Sequence, residues 1–199
     1  SEFLAYAHLG FHHVASLGAL DHLLFLAALA AVYRLRDWRS ALWVVTAFTL
    51  GHSLTLALVV TRVVELPTAW IEFLIPVTIV LTAATNLLAR RVDGPGRTRA
   101  IAAASFGLIH GAGFAEYLRA MFLEQIAVPL VGFNLGIEAA QIMVLSLLAT
   151  GLPAGIALRP LTSAPTGGLG AAGFERRVVA VSLLAGFVAT GMAYTRLPR

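Results

Sequence analysis

The chain has 199 residues, of which 59% are hydrophobic and only 12% are charged, whereas a soluble domain carries roughly 25% charged residues. This composition excludes an ordinary soluble domain, and the absence of cysteine excludes disulfides, thiolate metal sites and a cysteine nucleophile. The net charge of +4 comes from arginines in short clusters between apolar runs, which is typical of membrane-topology signals and excludes a nucleic-acid partner.

Six apolar segments are long enough to cross a bilayer, which needs about 20 mostly apolar residues. They cover residues 14–33, 40–62, 68–89, 100–119, 126–150 and 176–195. Segments this long must be helices, because lipid offers the backbone no hydrogen-bond partners and membrane-spanning strands are much shorter. We therefore predict an all-α, polytopic bundle of six transmembrane helices over residues 14–199, with a mobile Gly/Pro/Ser-rich loop at about 159–175.

Residues 1–13, which read SEFLAYAHLGFHH, are too short to cross the bilayer. We predict that they form an amphipathic interfacial helix on the outer surface of the membrane, leading into the first span. The histidines of this lead-in suggest a metal-capture arm, because histidines four residues apart lie on the same helix face. Solvated interfacial side chains are the alternative interpretation of His8, His12 and His13.

The arginines predict the orientation of the bundle, because loops rich in basic residues stay in the cytoplasm. Most of the 14 arginines fall in the loops after the first, third and fifth spans, and the stretch before the first span has none. We therefore predict a multi-pass protein of the bacterial inner membrane with both termini outside the cytoplasm. Such a topology requires something upstream to start export, and a removed signal peptide is the expectation.

Ionisable side chains occur inside these apolar spans, although a charge at the bilayer centre costs about 3 kcal/mol or more. In the predicted orientation, and at about 1.5 Å of depth per residue, those of five spans lie in the outer half of the bilayer. Their burial is tolerable if they face one another inside the bundle. The group comprises Asp21, His22, His52, Glu72 and His110, together with the single helical face of Asn134, Glu138 and Gln141.

These side chains predict a metal site. Imidazole and carboxylate without thiolate suit a divalent cation such as Ni²⁺, Co²⁺, Zn²⁺ or Fe²⁺. Because ligand imidazoles must be neutral, we expect affinity to fall as the pH drops through about 6.5. Asp21 projects about 100° away from His22 on a helix, so we expect it to serve another histidine or the metal itself. The predicted ligands are His22, His52, His110, Asp21 and Glu138, and the predicted orienting residues are Ser53, Glu72, Asn134 and Gln141.

Two other functions are consistent with the same cluster. An intramembrane metal-dependent hydrolase would use a metal-bound water, with Asp21 or Glu138 as general base and Ser53 or Asn134 as an oxyanion donor. A metal-free structural or sensor module would use the cluster for helix packing alone, since histidines and small polar residues commonly link helices within membranes.

Two glycines flank the histidine of the fourth span. Gly107 and Gly111 form a small-xxx-small pattern, which permits close approach of another helix. We predict a packing role for these glycines, and such packing would bring the backbone of this span near whatever His110 binds.

Five stretches resemble the motif blocks of the HupE/UreJ family in order and spacing. They read LGFHHVASLGALDHLLFLAAL, VTAFTLGHSLTLAL, IEFLIPVTIVLTAATNLL, FGLIHGAGFA and FNLGIEAAQ, and they cover about residues 8–145. The resemblance implies a six-span nickel or cobalt permease that follows an exported N-terminal region and is associated with hydrogenase or urease maturation. The family's polar motif residues correspond to His13 (or His12), Asp21, His22, His52, Ser53, Glu72, His110, Asn134, Glu138 and Gln141.

Two positions depart from the family pattern. Thr85-Asn86 stands where the family often has Glu-Asn, which removes a carboxylate near the cytoplasmic end and weakens the case for a second, inner relay site. Ala139-Ala140 stands where the family often has a glycine before the glutamine, so helix packing there is expected to differ.

The leading hypothesis is a permease that binds a divalent transition metal, Ni, Co or Zn, in the outer half of the bilayer and moves it inward. Its expected partners are the lipid bilayer, the metal ion, and an upstream exported domain or a metalloenzyme maturation system. The sequence shows no clear inner exit path for the ion.

Overall fold

The computed structural model describes residues 2–88, 97–121, 126–149 and 171–198. Within these ranges the chain has seven α-helices, one short 3₁₀ helix and no β-strand, which confirms the predicted all-α class. The predicted mobile loop at about 159–175 lies outside the described residues up to residue 170, and from Ala171 onward the chain is already helical.

The described helices follow one another along the chain in this order. They are α1 (Glu2–Ala15), α2 (Leu20–Ala31), the 3₁₀ helix (Leu35–Asp37), α3 (Trp38–Val60), α4 (Thr68–Leu88), α5 (Arg97–Met121), α6 (Ala127–Ala149) and α7 (Ala171–Thr195). The last five agree within a few residues with five of the predicted apolar segments. The remaining predicted segment, residues 14–33, corresponds to parts of two helices.

Four of the described helices, α3, α4, α6 and α7, are long and apolar enough to cross a membrane. The pair α1 and α2 adds a fifth candidate if it forms one broken span. α5 has 25 residues, but its many small and polar side chains make it less apolar than these four. The structure therefore supports a multi-pass membrane protein with four or five candidate spans, and the predicted number of six is not confirmed.

The predicted first span is not one continuous helix. α1 ends at Ala15, α2 begins at Leu20, and the two axes bend by 69°. Ser16 and Gly18 in the break are weaker helix formers than alanine or leucine, which explains why the helix stops here. α2 alone has 12 residues and is shorter than the hydrocarbon core, because it spans about 18 Å of the roughly 30 Å required.

α1 packs against α6, and the predicted position of the N-terminal segment on the outer membrane surface stays a prediction. A Cβ atom on Gly10 would overlap the carbonyl oxygen of Phe133, and one on Gly136 would overlap the carbonyl oxygen of Ala7. Such small residues let two helix backbones approach closely. The amphipathic pattern of α1 does not reveal this contact, because the matching glycine lies on a helix more than 100 residues away in the chain.

α3 and α5 form a second close crossing. A Cβ atom on Gly107 would overlap the carbonyl oxygen of Phe48, and one on Gly111 would overlap the carbonyl oxygen of His52. Gly51 of α3 approaches the carbonyl oxygen of Ala104 in the same way. The packing role predicted for Gly107 and Gly111 is confirmed, and the crossing holds the backbone of α5 directly beside His52.

Large apolar side chains cover the outer faces of two helices. Leu50 and Leu54 of α3 and Leu184 and Phe187 of α7 are all more than half exposed in the isolated chain. A soluble protein rarely exposes so continuous an apolar surface. These faces suit a lipid bilayer.

Candidate metal centre

Three imidazole side chains from three helices meet where the chain turns from α1 into α2. His13 on α1, His22 on α2 and His52 on α3 each place one ring nitrogen within 4.8 Å of the other two. The ring centroids lie 4.6 Å apart for His13 and His22, and 6.2 Å apart for His22 and His52. Over the described parts of the chain, this is the one group of at least three histidines or carboxylates close enough to hold a common metal ion.

The ring nitrogens of these histidines are buried and available. His13 Nε2, His22 Nε2 and both ring nitrogens of His52 have no hydrogen-bond partner among the residues that the structure describes. A buried polar atom left without a partner costs about 1–3 kcal/mol. A divalent cation coordinated by the nitrogen lone pairs of the three rings would remove that penalty, so the residues present fit a metal ion.

Aromatic rings pack against two of the three histidines. The His13 ring lies 4.1 Å from the Phe114 ring and 5.5 Å from the Phe133 ring, and the His52 ring lies 6.1 Å from the Phe48 ring. Phe48, Phe133 and His52 are fully buried, each at 1% exposure or less. These apolar surroundings lower the local dielectric beside the rings and strengthen electrostatic interactions with a bound cation.

Asp21 contacts His22, its neighbour in the chain, and its predicted role toward another histidine or the metal stays a prediction. The Asp21 Oδ1 atom accepts a hydrogen bond of 2.9 Å from the His22 backbone N–H and lies 3.3 Å from His22 Nδ1. The contact is possible because Asp21 lies in the first turn of α2, where backbone N–H groups have no partner within the helix. A carboxylate only accepts, so Nδ1 carries the proton and the lone pair is on Nε2, inside the histidine group.

His110 lies beside the three histidines but is held by α4. Its ring centroid is 5.2 Å from that of His22, and its Nε2 atom is 2.9 Å from the hydroxyl oxygen of Thr78. The Thr78 hydroxyl donates its single proton to the Ile75 carbonyl at 2.7 Å, so His110 Nε2 is the donor to Thr78. The lone pair of His110 is then on Nδ1, which is buried and has no partner among the described residues.

The polar face of α6 contacts α3. Thr46 donates a hydrogen bond of 2.8 Å to Glu138 Oε1, and Thr49 donates one of 2.6 Å to Gln141 Oε1. Ser53 donates to the carbonyl oxygen of Thr49 at 2.7 Å. The predicted role of Glu138 as a ligand therefore stays a prediction, and the structure places this carboxylate in a polar interface between two helices.

A pocket of about 490 Å³ leads to the histidines. His13, His22 and His110 line its buried side, and Asp21 lies between them and Arg196, whose Nη1 atom is 3.6 Å from Asp21 Oδ2. Four of its lining residues are exposed, which are His12, Gly18, Glu72 and Gly113. Solvent therefore reaches the site from the end of the bundle that carries the α1–α2 break and the end of α7.

The predicted capture arm divides into two parts. His8 and His12 are exposed on one face of α1, with their ring centroids 4.5 Å apart, whereas His13 turns into the bundle. The sequence predicted an interfacial His13, either in a capture arm or solvated, and the family resemblance matched His13 or His12 to a polar motif residue. The structure separates the two, because His12 is exposed whereas the ring of His13 contacts His22 and Phe133.

Asp21→Asn is expected to weaken metal binding by about tenfold, because the amide no longer fixes the proton of His22 on Nδ1. Titration calorimetry on the purified protein with Ni²⁺ or Zn²⁺ measures the change. Glu65→Gln, which neutralises an exposed acid in the loop after α3, is the matched control and leaves affinity unchanged. Equal affinity for Asp21→Asn and Glu65→Gln would show that Asp21 has no part in ligand orientation.

A sequence model of one protein family, described as HupE / UreJ protein, matches residues 1–192. The match covers all seven helices almost to the end of α7. No curated protein and no solved structure matches the chain.

Proposed function

The chain belongs to the HupE/UreJ family, and on this premise we propose that it is a membrane permease for a divalent transition metal. One observation carries the proposal: three imidazoles with buried, unpartnered ring nitrogens converge beside an open pocket that two of them, His13 and His22, line. If these histidines were solvated, or if they only linked helices, their ring nitrogens would have hydrogen-bond partners. Their convergence is accounted for by an ion that enters the pocket and binds them.

The donor set favours Ni²⁺, Co²⁺ or Zn²⁺ as the cargo. Imidazole nitrogens bind these borderline cations well, whereas Mg²⁺ and Ca²⁺ prefer oxygen ligands and Cu(I) prefers sulfur. His13, His22 and His52 would bind the ion, and Asp21 would orient His22. His110 would bind the ion once it moves away from the three histidines. Its ring centroid is 5.2 Å from that of His22, and its Nδ1 atom has no partner among the described residues.

The topology we propose has six crossings. The broken pair α1 and α2 would count as one crossing, α5 as another, and the four apolar helices complete the bundle. α5 would cross the lipid although it is less apolar, because its close contact with α3 shields much of its surface from the lipid. In the orientation that the arginines predict, the pocket faces outward, both termini lie outside the cytoplasm of a bacterial inner membrane, and an exported domain or a metalloenzyme maturation system is the expected partner.

The test of this function is metal flux. The purified protein, reconstituted in liposomes, is expected to bind close to one Ni²⁺, Co²⁺ or Zn²⁺ and to carry it across the membrane, detected with an entrapped metal-sensitive dye. Protein-free liposomes give the background rate. A protein that binds the metal with no flux above this background contradicts the permease and leaves a metal-binding protein with another function.

A metal-dependent hydrolase is the second candidate, and the pocket is the observation that favours it. Its volume of about 490 Å³ is that of a small-molecule site, and three protein ligands would leave one position of a zinc ion open toward it. Asp21 lines this pocket, whereas Glu138, Ser53 and Asn134 are not among its lining residues, so Asp21 is the better supported of the two predicted general bases. Chelator-sensitive hydrolysis of lipid or peptide substrates, without flux, would favour this candidate.

A further inference from the structure

α4 carries a line of buried polar side chains on one face. Thr78, Thr82 and Asn86 follow one another at intervals of four residues, and each is at most 5% exposed. Residues at this spacing lie on the same face of a helix, and the line they form is about 12 Å long. It runs through the interior of the bundle, where polar side chains are expensive and tend to mark ion pathways.

The first residue of this line contacts the histidines. The Thr78 hydroxyl oxygen is 2.9 Å from His110 Nε2, and the His110 ring lies next to that of His22. Thr82 follows one turn later and donates its hydroxyl proton to the Thr78 carbonyl at 2.8 Å. Both threonine hydroxyls donate their single proton to the backbone, and the Thr78 oxygen also accepts the proton of His110 Nε2. Each oxygen has two lone pairs, so within the described residues each keeps at least one with which it would bind a cation.

The last residue of the line closes a junction of four helices. Asn86 Nδ2 donates to the carbonyl oxygen of Ala28 on α2 at 2.7 Å and to the hydroxyl of Ser182 on α7 at 3.3 Å. Asn86 Oδ1 accepts a hydrogen bond of 3.0 Å from the guanidinium of Arg99 on α5. Asn86 and Ser182 are at most 1% exposed, so both residues of the junction are buried.

We propose that this line is the inward path of the metal ion, and that the hydrogen bond between Arg99 and Asn86 is its closed inner gate. The inference rests on the proposed transport function. The pocket is open on the side of the histidines, and Thr78, Thr82 and Asn86 are not among its lining residues. Among the described residues, the pocket therefore opens beside the histidines, whereas Asn86 and Ser182 at the other end of the line are buried.

The chemistry of each step follows from the side chains. An ion that leaves the three histidines meets His110 Nδ1 first, and then the hydroxyl oxygens of Thr78 and Thr82, which replace part of its hydration shell. At the far end the positive charge of Arg99 repels a divalent cation while the guanidinium is bound to Asn86. Passage requires Arg99 to leave Asn86, which separates α5 from α4 at this end of the bundle.

The path is tested by Thr82→Val, which removes the hydroxyl at nearly constant volume. Its matched control is Thr85→Val, which makes the same change at a less buried position of α4. We expect metal flux in proteoliposomes to fall about tenfold for Thr82→Val relative to Thr85→Val, with metal affinity in detergent unchanged in both. Equal flux in the two variants, or a loss of affinity in Thr82→Val, overturns the path.

The gate is tested by Arg99→Met, with Arg97→Met as the control of equal charge at an exposed position on the same helix. We expect flux to rise about tenfold in Arg99→Met relative to Arg97→Met, because the closed state loses a hydrogen bond to a charged group. Unchanged or slower flux overturns the gate. If the unsubstituted protein binds metal without any flux, the proposed transport function itself fails, and this inference fails with it.

Discussion

Replacing His52 by alanine is expected to lower the affinity for Ni²⁺ or Zn²⁺ by about 100-fold or more, since even an outer partner of a ligand is worth roughly 10- to 100-fold. His52 is fully buried, and neither of its ring nitrogens has a partner within the described residues. Without it, two imidazoles remain, which is too few for tight binding of a borderline cation. Calorimetric titration and elemental analysis of the purified protein measure the loss.

The thermal stability of the same variant provides an independent measurement. A ligand at about 100 times its dissociation constant stabilises the folded protein by about 2.7 kcal/mol, so metal should raise the melting temperature of the unsubstituted protein. That increase should disappear in His52→Ala. Without metal the variant should lose stability through the cavity that the truncated side chain leaves, and the removal of two unpartnered buried nitrogens should offset part of that loss.

His8→Ala is the matched control for this experiment. His8 is exposed on α1 and is not one of the residues that line the pocket, so its removal should leave the affinity of the buried site unchanged. If His52→Ala retains the metal stoichiometry and affinity of His8→Ala, the three histidines do not form the metal site, and the proposed function loses its main support.

Gly111→Ala is expected to destabilise the protein by about 3 kcal/mol and to weaken metal binding at the same time, because overpacking of a tight contact commonly costs about 1–3 kcal/mol or more. The added methyl group would overlap the carbonyl oxygen of His52. A backbone atom cannot move aside as the end of a side chain can, so α3 and α5 must separate. His52 would then move away from His13 and His22.

Gly191→Ala on α7 is the control for the glycine substitution. No atom lies within 4 Å of the position that its Cβ would take, and alanine favours a helix over glycine by about 1 kcal/mol. This variant should be as stable as the unsubstituted protein or slightly more stable. Equal melting temperatures and equal metal affinities for Gly111→Ala and Gly191→Ala would contradict the close crossing of α3 and α5.

Much of the fold could be predicted from the apolar runs alone. The limits of α3 and α4 agree with the predicted segments within two residues, since a long apolar run in lipid has no stable alternative to a helix. The first predicted span was different, because residues 14–33 remain apolar through the break at Ser16 and Gly18. An apolar composition indicates that a segment can enter a membrane, whereas the bend depends on local helix preference and on what α1 packs against.

The sequence predicted the chemistry of the site and some of the residues that form it. His22 and His52 do lie in one group with unpartnered nitrogens. His13 joined them from a segment expected at the surface, and His110 turned toward Thr78 instead of the shared centre. Nothing in the spacing of Glu138 indicated Thr46 as its partner, because the two residues lie 92 positions apart.

The sequence by itself determined that this chain is a helical membrane protein, and that its interior holds imidazoles and carboxylates without thiols. Those properties depend on the kinds of residue and on their periodicity within each helix. The tertiary structure decided which histidines share a centre and where Asp21 and Glu138 find their partners. Which side chains meet depends on the rotation and separation of neighbouring helices. These are set by close contacts such as Gly111 against His52 and Gly136 against Ala7. Periodicity within one helix carries no information about how the next helix is turned.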